Sequence, residues 1–354
     1  MRIALVSTPF LAVPPRGYGG TELIVHELQQ GLARAGHDVT LFATGDSDGP
    51  DVRWVFERPI WPPRPDVEVE HARFAAREIA REGYDLVHAH VGSMVPEAAW
   101  LGAPMVYTLH HAHVARLTRL YEAHAGEVRY VAISARQAEI ESSLHCDVVH
   151  HGLDPERHPQ GRGDGGYALF IGRFAWCKAP DIAAEAAQMA GVDLAMAGAL
   201  HDEPTDPPGW NERMTRILEM PGIRRVGQIQ GERKFALLGG ASALLMPLRW
   251  EEPFGLVMIE AMLCGTPVVA FRLGSTPEIV EDGVTGYVVD DVAEMADALR
   301  AAGALDRSAC RRRARERFSA SRMVRDYLRV YHAALSAGEP PWQPEPEDSR
   351  YAAH

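Results

Sequence analysis

The chain has 354 residues, 46% hydrophobic and 24% charged, which suits a soluble globular protein of two ordinary domains. A net charge of −12 disfavours nucleic acid and anionic membrane as principal partners. There is no apolar run of about 18 residues to span a bilayer. The opening MRIALVSTPF is too short in its apolar part for a secretion signal, and Cys146, Cys177, Cys264 and Cys310 are scattered, so a reducing cytoplasm is expected.

In chain order, 2–7 reads as a buried strand and 21–35 as a helix stopped by Gly36. Strands are predicted at 39–43, 52–56, 86–89, 105–108 and 130–133, with a charged helix near 70–82 and a last strand at 146–150. The stretch 154–166, DPERHPQGRGDGG, has a linker composition. The pattern then restarts at 168–171, with strands near 193–197, 224–226, 243–246, 268–271 and 287–289. Alternation of this kind predicts two α/β units, each a parallel sheet covered by helices. A helix over 320–334 follows, and 338–354 reads as a disordered tail.

The most informative stretch is 244–271, a strand, a polar turn, a helix opened by Gly255 and a second strand. Glu251 and Glu252 lie in the turn, and Glu260 sits in a helix that is otherwise apolar all round. A carboxylate buried there costs several kcal/mol unless something hydrogen-bonds it. Ligand hydroxyls would do so; a core cation is the alternative, and Glu251 and Glu252 could equally cap a helix. The amides of Phe254, Gly255 and Leu256 form a helix N-terminus suited to phosphate, so one turn offers donors for phosphate and acceptors for hydroxyls.

Other segments gain meaning beside this one. Gly17, Gly19 and Gly20 follow the first strand but are not a dinucleotide fingerprint, because Glu22 stands where the third Gly belongs. Gly172 to Lys178, GRFAWCK, follows a strand and carries Arg173 and Lys178, two cations suited to a departing diphosphate. Lys178 and Lys234 are the only lysines among 36 basic residues, so Lys178 is unlike an interchangeable surface cation. His88 and His90, and His111 and His113, form H-x-H pairs, but no acidic third ligand has helpful spacing and hydrogen-bonded loop histidines are the better reading. GDSDG at 45–49 resembles a nucleophile elbow but lacks the helix that must follow it. The arginines at 311, 312, 313, 315 and 317 read as a solvated helix face.

Taken together, YGGTE at 18–22, GHDVTLFA at 36–43, HGLD at 151–154, GRFAWCK, EPFGLVMIEA with its E-x7-E pair Glu252 and Glu260, and PEIVEDGVTG at 277–286 resemble a family 4 retaining glycosyltransferase of the GT-B fold. The resemblance runs in order from Arg2 to about Tyr331. It implies an acceptor-binding Rossmann-like domain at 1–154, a nucleotide-sugar domain at 155–319, and a helix at 320–336 crossing back to the first domain, with the tail at 337–354. It further implies that Arg173 and Lys178 hold the diphosphate with Gly19, Gly20, Gly255 and Leu256. Glu252 would then bind hydroxyls of the transferred sugar, Glu260 the ribose, and His110 would line the sugar site near the anomeric carbon.

Such enzymes transfer sugar with retention and need no metal or other cofactor. No carboxylate here is placed as a nucleophile, which fits a same-face reaction assisted by the leaving phosphate. The expected donor is a UDP-sugar ahead of a GDP-sugar. The acidic charge and the lack of a basic amphipathic helix favour a soluble small-molecule or saccharide acceptor. The Arg-rich, Lys-poor composition suggests a bacterial source. Three departures stand out: Lys178-Ala179 for the usual Lys-Gly, Gly274-Ser275 for Gly-Gly, and Leu248, Arg249 and Trp250 where a Ser commonly follows the Pro. The competing readings are an epimerase or hydrolase on the same fold, an NAD dehydrogenase, and a non-catalytic nucleotide-sugar sensor.

Overall fold

The computed structural model describes residues 1–200 and 204–336; the predicted tail at 338–354 lies outside the described residues. The first half holds β1 (Arg2–Val6), α1 (Gly20–Arg34), β2 (Asp38–Phe42), β3 (Val52–Arg53) and α2 (Pro65–Glu82). It continues with β4 (Leu86–Ala89), β5 (Met105–Thr108), α3 (Ala115–Glu122), β6 (Val128–Ala132), α4 (Ala135–Ile140) and β7 (Asp147–Val148). The second half holds β8 (Tyr167–Ile171), α5 (Pro180–Ala190), β9 (Asp193–Ala197), α6 (Trp210–Leu218), β10 (Ile223–Gly227) and α7 (Gly231–Gly240). Then come β11 (Leu244–Met246), α8 (Leu256–Leu263), β12 (Val268–Phe271), α9 (Thr276–Ile279) and β13 (Gly286–Val289). Three helices complete the described residues: α10 (Val292–Ala302), α11 (Arg307–Phe318) and α12 (Ala320–Ser336).

The strands form a seven-stranded sheet, β3-β2-β1-β4-β5-β6-β7, and a six-stranded one, β10-β9-β8-β11-β12-β13. All pairings between these strands are parallel. Strands such as Leu86–Ala89 and Leu244–Met246 are buried throughout, as expected where helices cover both faces. In each sheet the order reverses at the first strand of its half, β1 or β8, and the carboxyl ends of strands at such a reversal are where open α/β sheets as a class bind ligands. One apolar cluster runs from Ile3, Leu28 and Leu86 through Tyr327 and Phe318 to Met258 and Val268, joining the two halves. Helix α12 packs on the first half: Tyr331 bonds His88 at 2.7 Å and Tyr327 bonds Thr108 at 2.9 Å.

Several expectations need correction. The strand predicted at 52–56 stops at Arg53, and that at 146–150 covers only Asp147–Val148; both are edge strands, held from one side. Helix α2 begins at Pro65, five residues before Glu70, because proline fits the first helical position. The linker is tied down: Gly161, Gly163 and Gly165 donate to Cys264, Gly239 and Gly240 carbonyls at 3.0, 2.9 and 2.9 Å. The arginines of α11 are not a plain solvated face. Arg311 donates to the carbonyls of Leu263, His158 and Pro155, Arg317 to those of Ile279 and Glu278, and Arg313 pairs with Glu281 at 2.8 Å. Arg311 and Arg317 thus satisfy carbonyls at the ends of α8 and α9, which lack intrahelical donors. GDSDG is a loop, as read: Ser47 accepts the Val13 amide at 3.0 Å and is spent on tethering.

Candidate active site

Gly255, in the left-handed region at φ 80°, opens α8, and the Gly255 and Leu256 amides bond no protein group among the described residues. Phe254 is buried, its ring 4.9 Å from that of His151 and 6.2 Å from Phe318, which seats the turn in the core. Gly274 stands beside it at φ 60°; a Cβ there would lie 2.5 Å from the Glu252 nitrogen. Any side chain at 274 would push the turn away. Ser275 fills the place of the second glycine without conflict, its hydroxyl donating to the Phe254 carbonyl at 2.7 Å.

Glu252 is mostly buried and forms an ion pair with Lys178. Trp250 Nε1 donates to the same carboxylate at 3.0 Å, and Lys178 Nζ lies 4.5 Å from the Trp250 ring centroid. Arg249 braces the Lys178 loop from below: its amide donates to the Cys177 carbonyl at 2.9 Å and its guanidinium to Trp176 O at 3.0 Å. Both Arg249 and Arg213 reach the buried Asp181 at 2.8 Å. The unusual Arg249 and Trp250 thus position the lysine and its carboxylate partner. Ala179 takes the left-handed conformation, φ 52° and ψ 46°, that a glycine would occupy without strain. Arg173 lies two residues beyond β8, half-buried beside this loop.

Glu260 is 4% exposed, as the apolar helix required, and its partner is Lys234 of α7 at 2.6 Å. The cation left open by sequence is therefore a lysine. Both lysines of the chain pair with the two glutamates of the E-x7-E motif. Lys234 was missed, although the scarcity that singled out Lys178 applied to it equally.

The first half faces this turn with the start of α1. A Cβ on Gly20 would lie 3.2 Å from Leu256 Cδ1, so the openings of α1 and α8 are adjacent. At Gly19 a Cβ would meet Pro15 at 2.7 Å and Leu11 at 2.9 Å. Glu22, behind the glycines, receives the Thr8 hydroxyl at 2.5 Å, and burial raises its pKa.

His110, just past β5, bonds His90 through Nε2 to Nδ1 at 2.7 Å and stacks on His151, centroids 5.3 Å apart. Burial, with His111 nearby, holds its pKa down at about 3, so it is neutral. His88 is satisfied on both sides, by Tyr331 at 2.7 Å and Thr108 at 2.8 Å. His90 and His151 were not foreseen as parts of one group, because β4, β5 and the segment after β7 bring them together only in the fold.

Polar contacts also hold the two halves together. Arg136 grips Glu251 at 2.9 and 3.0 Å, lowering the carboxyl pKa. Glu278 accepts the Ala135 and Arg136 amides at 2.8 and 3.1 Å and His150 at 2.8 Å. Burial pushes its pKa up, but these donors outweigh it and the net shift is downward. Among the described residues no group of three or more His, Cys, Asp or Glu is arranged to hold a metal ion. No helix there is long and apolar enough to cross a membrane.

The site so assembled has counterparts among known proteins. Residues 18–157 match the family described as Glycosyltransferase Family 4, and 165–303 the family described as Glycosyl transferases group 1. The chain is 30% identical to D-inositol 3-phosphate glycosyltransferase of Mycolicibacterium smegmatis over 95% of this chain and 92% of that protein. The protein of the same name from Mycobacterium tuberculosis strain F11 is 30% identical over 84% of this chain and 74% of its own length. Among solved structures, AviGT4, a glycosyltransferase involved in avilamycin A biosynthesis, superposes with a TM-score of 0.73 at 26% identity, covering 95% and 98% of the two chains. HepE of Anabaena, solved with UDP and glucose, shares the fold with a TM-score of 0.71 at 20% identity, covering 94% and 100%.

Proposed function

This chain belongs to the family 4, group 1 glycosyltransferases of the GT-B fold, and on that premise we propose that it moves a hexose from a nucleoside-diphosphate donor, a UDP-sugar by preference, to a hydroxyl of a soluble small-molecule or saccharide acceptor with retention of configuration. The observation that carries this reading is the pairing of Lys178 with Glu252 beside the unpartnered amides of Gly255 and Leu256. An ammonium and a helix N-terminus suit a diphosphate that gains charge as it leaves, and the carboxylate suits sugar hydroxyls. In this reading Arg173, Gly19 and Gly20 border the phosphates, Glu260 accepts from the ribose, and His110 borders the transferred sugar. The first domain, to residue 154, holds the acceptor, and the segment 155–319 holds the donor.

The preference for UDP is supported by HepE, whose structure contains UDP and glucose. The acceptor hydroxyl attacks on the face the phosphate leaves, and the phosphate oxygen takes its proton, so the protein's work is charge stabilisation and positioning. Calorimetric titration with UDP, GDP, UDP-glucose and GDP-mannose, with and without EDTA, tests the proposal. Metal-independent binding of one nucleotide and its sugar supports it. Binding of NAD and of no nucleotide sugar overturns it.

A further inference from the structure

We propose that His90 is a positioning residue that holds His110 in a single neutral tautomer, with the proton on Nδ1, so that His110 presents a hydrogen-bond donor to a hydroxyl oxygen of the bound sugar. This deepens the proposed function and rests on the placement of His110 at the transferred sugar.

His90 carries an orphan atom among the described residues. His90 is 4% exposed, its Nδ1 lies 2.7 Å from His110 Nε2, and its Nε2 is buried with no partner among the described residues. A neutral imidazole carries one N–H and one bare acceptor. Two arrangements satisfy the short contact. In one, His90 donates from Nδ1 and buries a bare lone pair at Nε2. In the other, His90 accepts at Nδ1 and buries an unbonded N–H. Orphaned N–H groups are the rarer and costlier case, so the first arrangement is favoured.

The consequence passes to the next ring. His110 then accepts at Nε2, and because it is neutral its own proton sits on Nδ1. That nitrogen bonds no protein group among the described residues and is not among the buried orphans, so it remains available to a ligand. The ring cannot easily turn over, since it stacks on His151 with the planes only 17° apart. The groups around His90 do not compete for its Nδ1. His88, whose ring centroid is 4.1 Å away, spends its nitrogens on Tyr331 and Thr108, and Thr108 also meets Tyr327. His151 contacts His110 and Phe254 through its rings, and Arg322 is engaged by the His151 carbonyl at 2.7 Å and by Asp326 at 2.9 Å. The donor toward the sugar therefore originates in a buried residue that never touches it.

The test compares the full chain, labelled with 15N-histidine, with two near-isosteric variants. Long-range proton–nitrogen spectra of the wild type, assigned by loss of the signal in His110→Ala, should show His110 protonated at Nδ1 and bare at Nε2. His90→Asn can still donate from the same place and should keep that pattern, with UDP release from UDP-glucose within about three-fold of wild type. His90→Asp can only accept; it should move the His110 proton to Nε2 and lower kcat by about ten- to a hundred-fold, with a smaller change in KM. In a His110→Ala background the same change should cost nothing further.

A wild-type His110 protonated at Nε2 would overturn the proposal, and so would equal turnover of the Asn and Asp variants when His110→Ala itself is impaired. The wild-type spectrum decides the tautomer even if His90→Asp fails to fold. Should the tautomer be as assigned while His110→Ala turns over like wild type, the placement of His110 at the sugar fails and the hold of His90 on it stands.

Discussion

Lys234 Nζ lies 2.6 Å from the carboxylate of Glu260, which is 4% exposed in the centre of an apolar helix. The lysine comes from α7, the glutamate from α8, and the pair compensates a charge that α8 could not otherwise bury. Lys234→Met leaves that charge alone and should cost about 3–5 kcal/mol in chemical denaturation. UDP affinity should fall as well, because Lys234 fixes the position of the Glu260 carboxylate. In the double variant with Glu260→Met stability should largely return, because two apolar side chains replace both charges, while UDP affinity should not. Recovery of both together would mean that Glu260 is structural and has no part in donor binding.

Lys178 and Glu252 make the second pair, on the turn itself. Lys178→Ala should lower kcat/KM by about a hundred- to a thousand-fold, the scale of losing one preorganised donor to a charged leaving group. Glu252→Ala should do the same through the sugar hydroxyls. Steady-state kinetics, with circular dichroism to verify the fold, reads both. Wild-type turnover in both variants would remove these residues from the reaction.

Ala179 pays for its left-handed backbone, at φ 52°. That conformation costs an L residue about 1–2 kcal/mol, and glycine returns part of the gain through its looser unfolded chain. Ala179→Gly should therefore stabilise the protein by about 0.5–1 kcal/mol, measured as a shift in denaturation midpoint at unchanged slope. A loss of stability would show that the Ala179 methyl, fully buried, contributes more packing than strain.

Acid should destabilise the fold through its buried histidines. His88, His90 and His151 have pKa values well below the ordinary value, and His110 is pushed down to about 3, with burial the largest cause in each. A histidine whose pKa is lowered on folding takes up its proton more readily in the unfolded chain. Its contribution is complete above about pH 6.5 and is lost as pH falls toward the folded value, at up to about 1.4 kcal/mol per pH unit for each group. Melting curves between pH 8 and 5 should show a steep fall below about pH 6.5. A flat profile there would place these rings in contact with water.

Glu27 acts in the opposite direction and separates the two effects. Burial in α1 raises its pKa to about 7, opposed by Arg157. Its stabilising contribution is full below about pH 4.5 and is lost as pH rises through 7. Glu27→Gln should therefore raise the melting temperature at pH 8, by an amount equivalent to about 3 kcal/mol, and change it little at pH 4.5. An equal shift at both pH values would assign the effect to packing.

The parts of this protein legible in the sequence are those whose physics is local. The apolar strands, the glycine that opens α8, the E-x7-E spacing and the GRFAWCK loop each declare themselves within a dozen residues, and alternation alone implied two parallel sheets. The burial of Glu260 could be read too, because its helical neighbours are apolar all round. Its partner could not be read, since Lys234 stands 26 residues earlier on another helix. Arg311 looked solvated for the same reason: the carbonyls it caps, Leu263 and His158, are distant in sequence. The tertiary structure alone decided that the buried His88, His90 and His151 gather around the half-buried His110, as adjacent strands and the segment after β7 converge there. Periodicity reports which face of an element is dry, and it carries no information about which polar group from elsewhere will meet the one buried on that face.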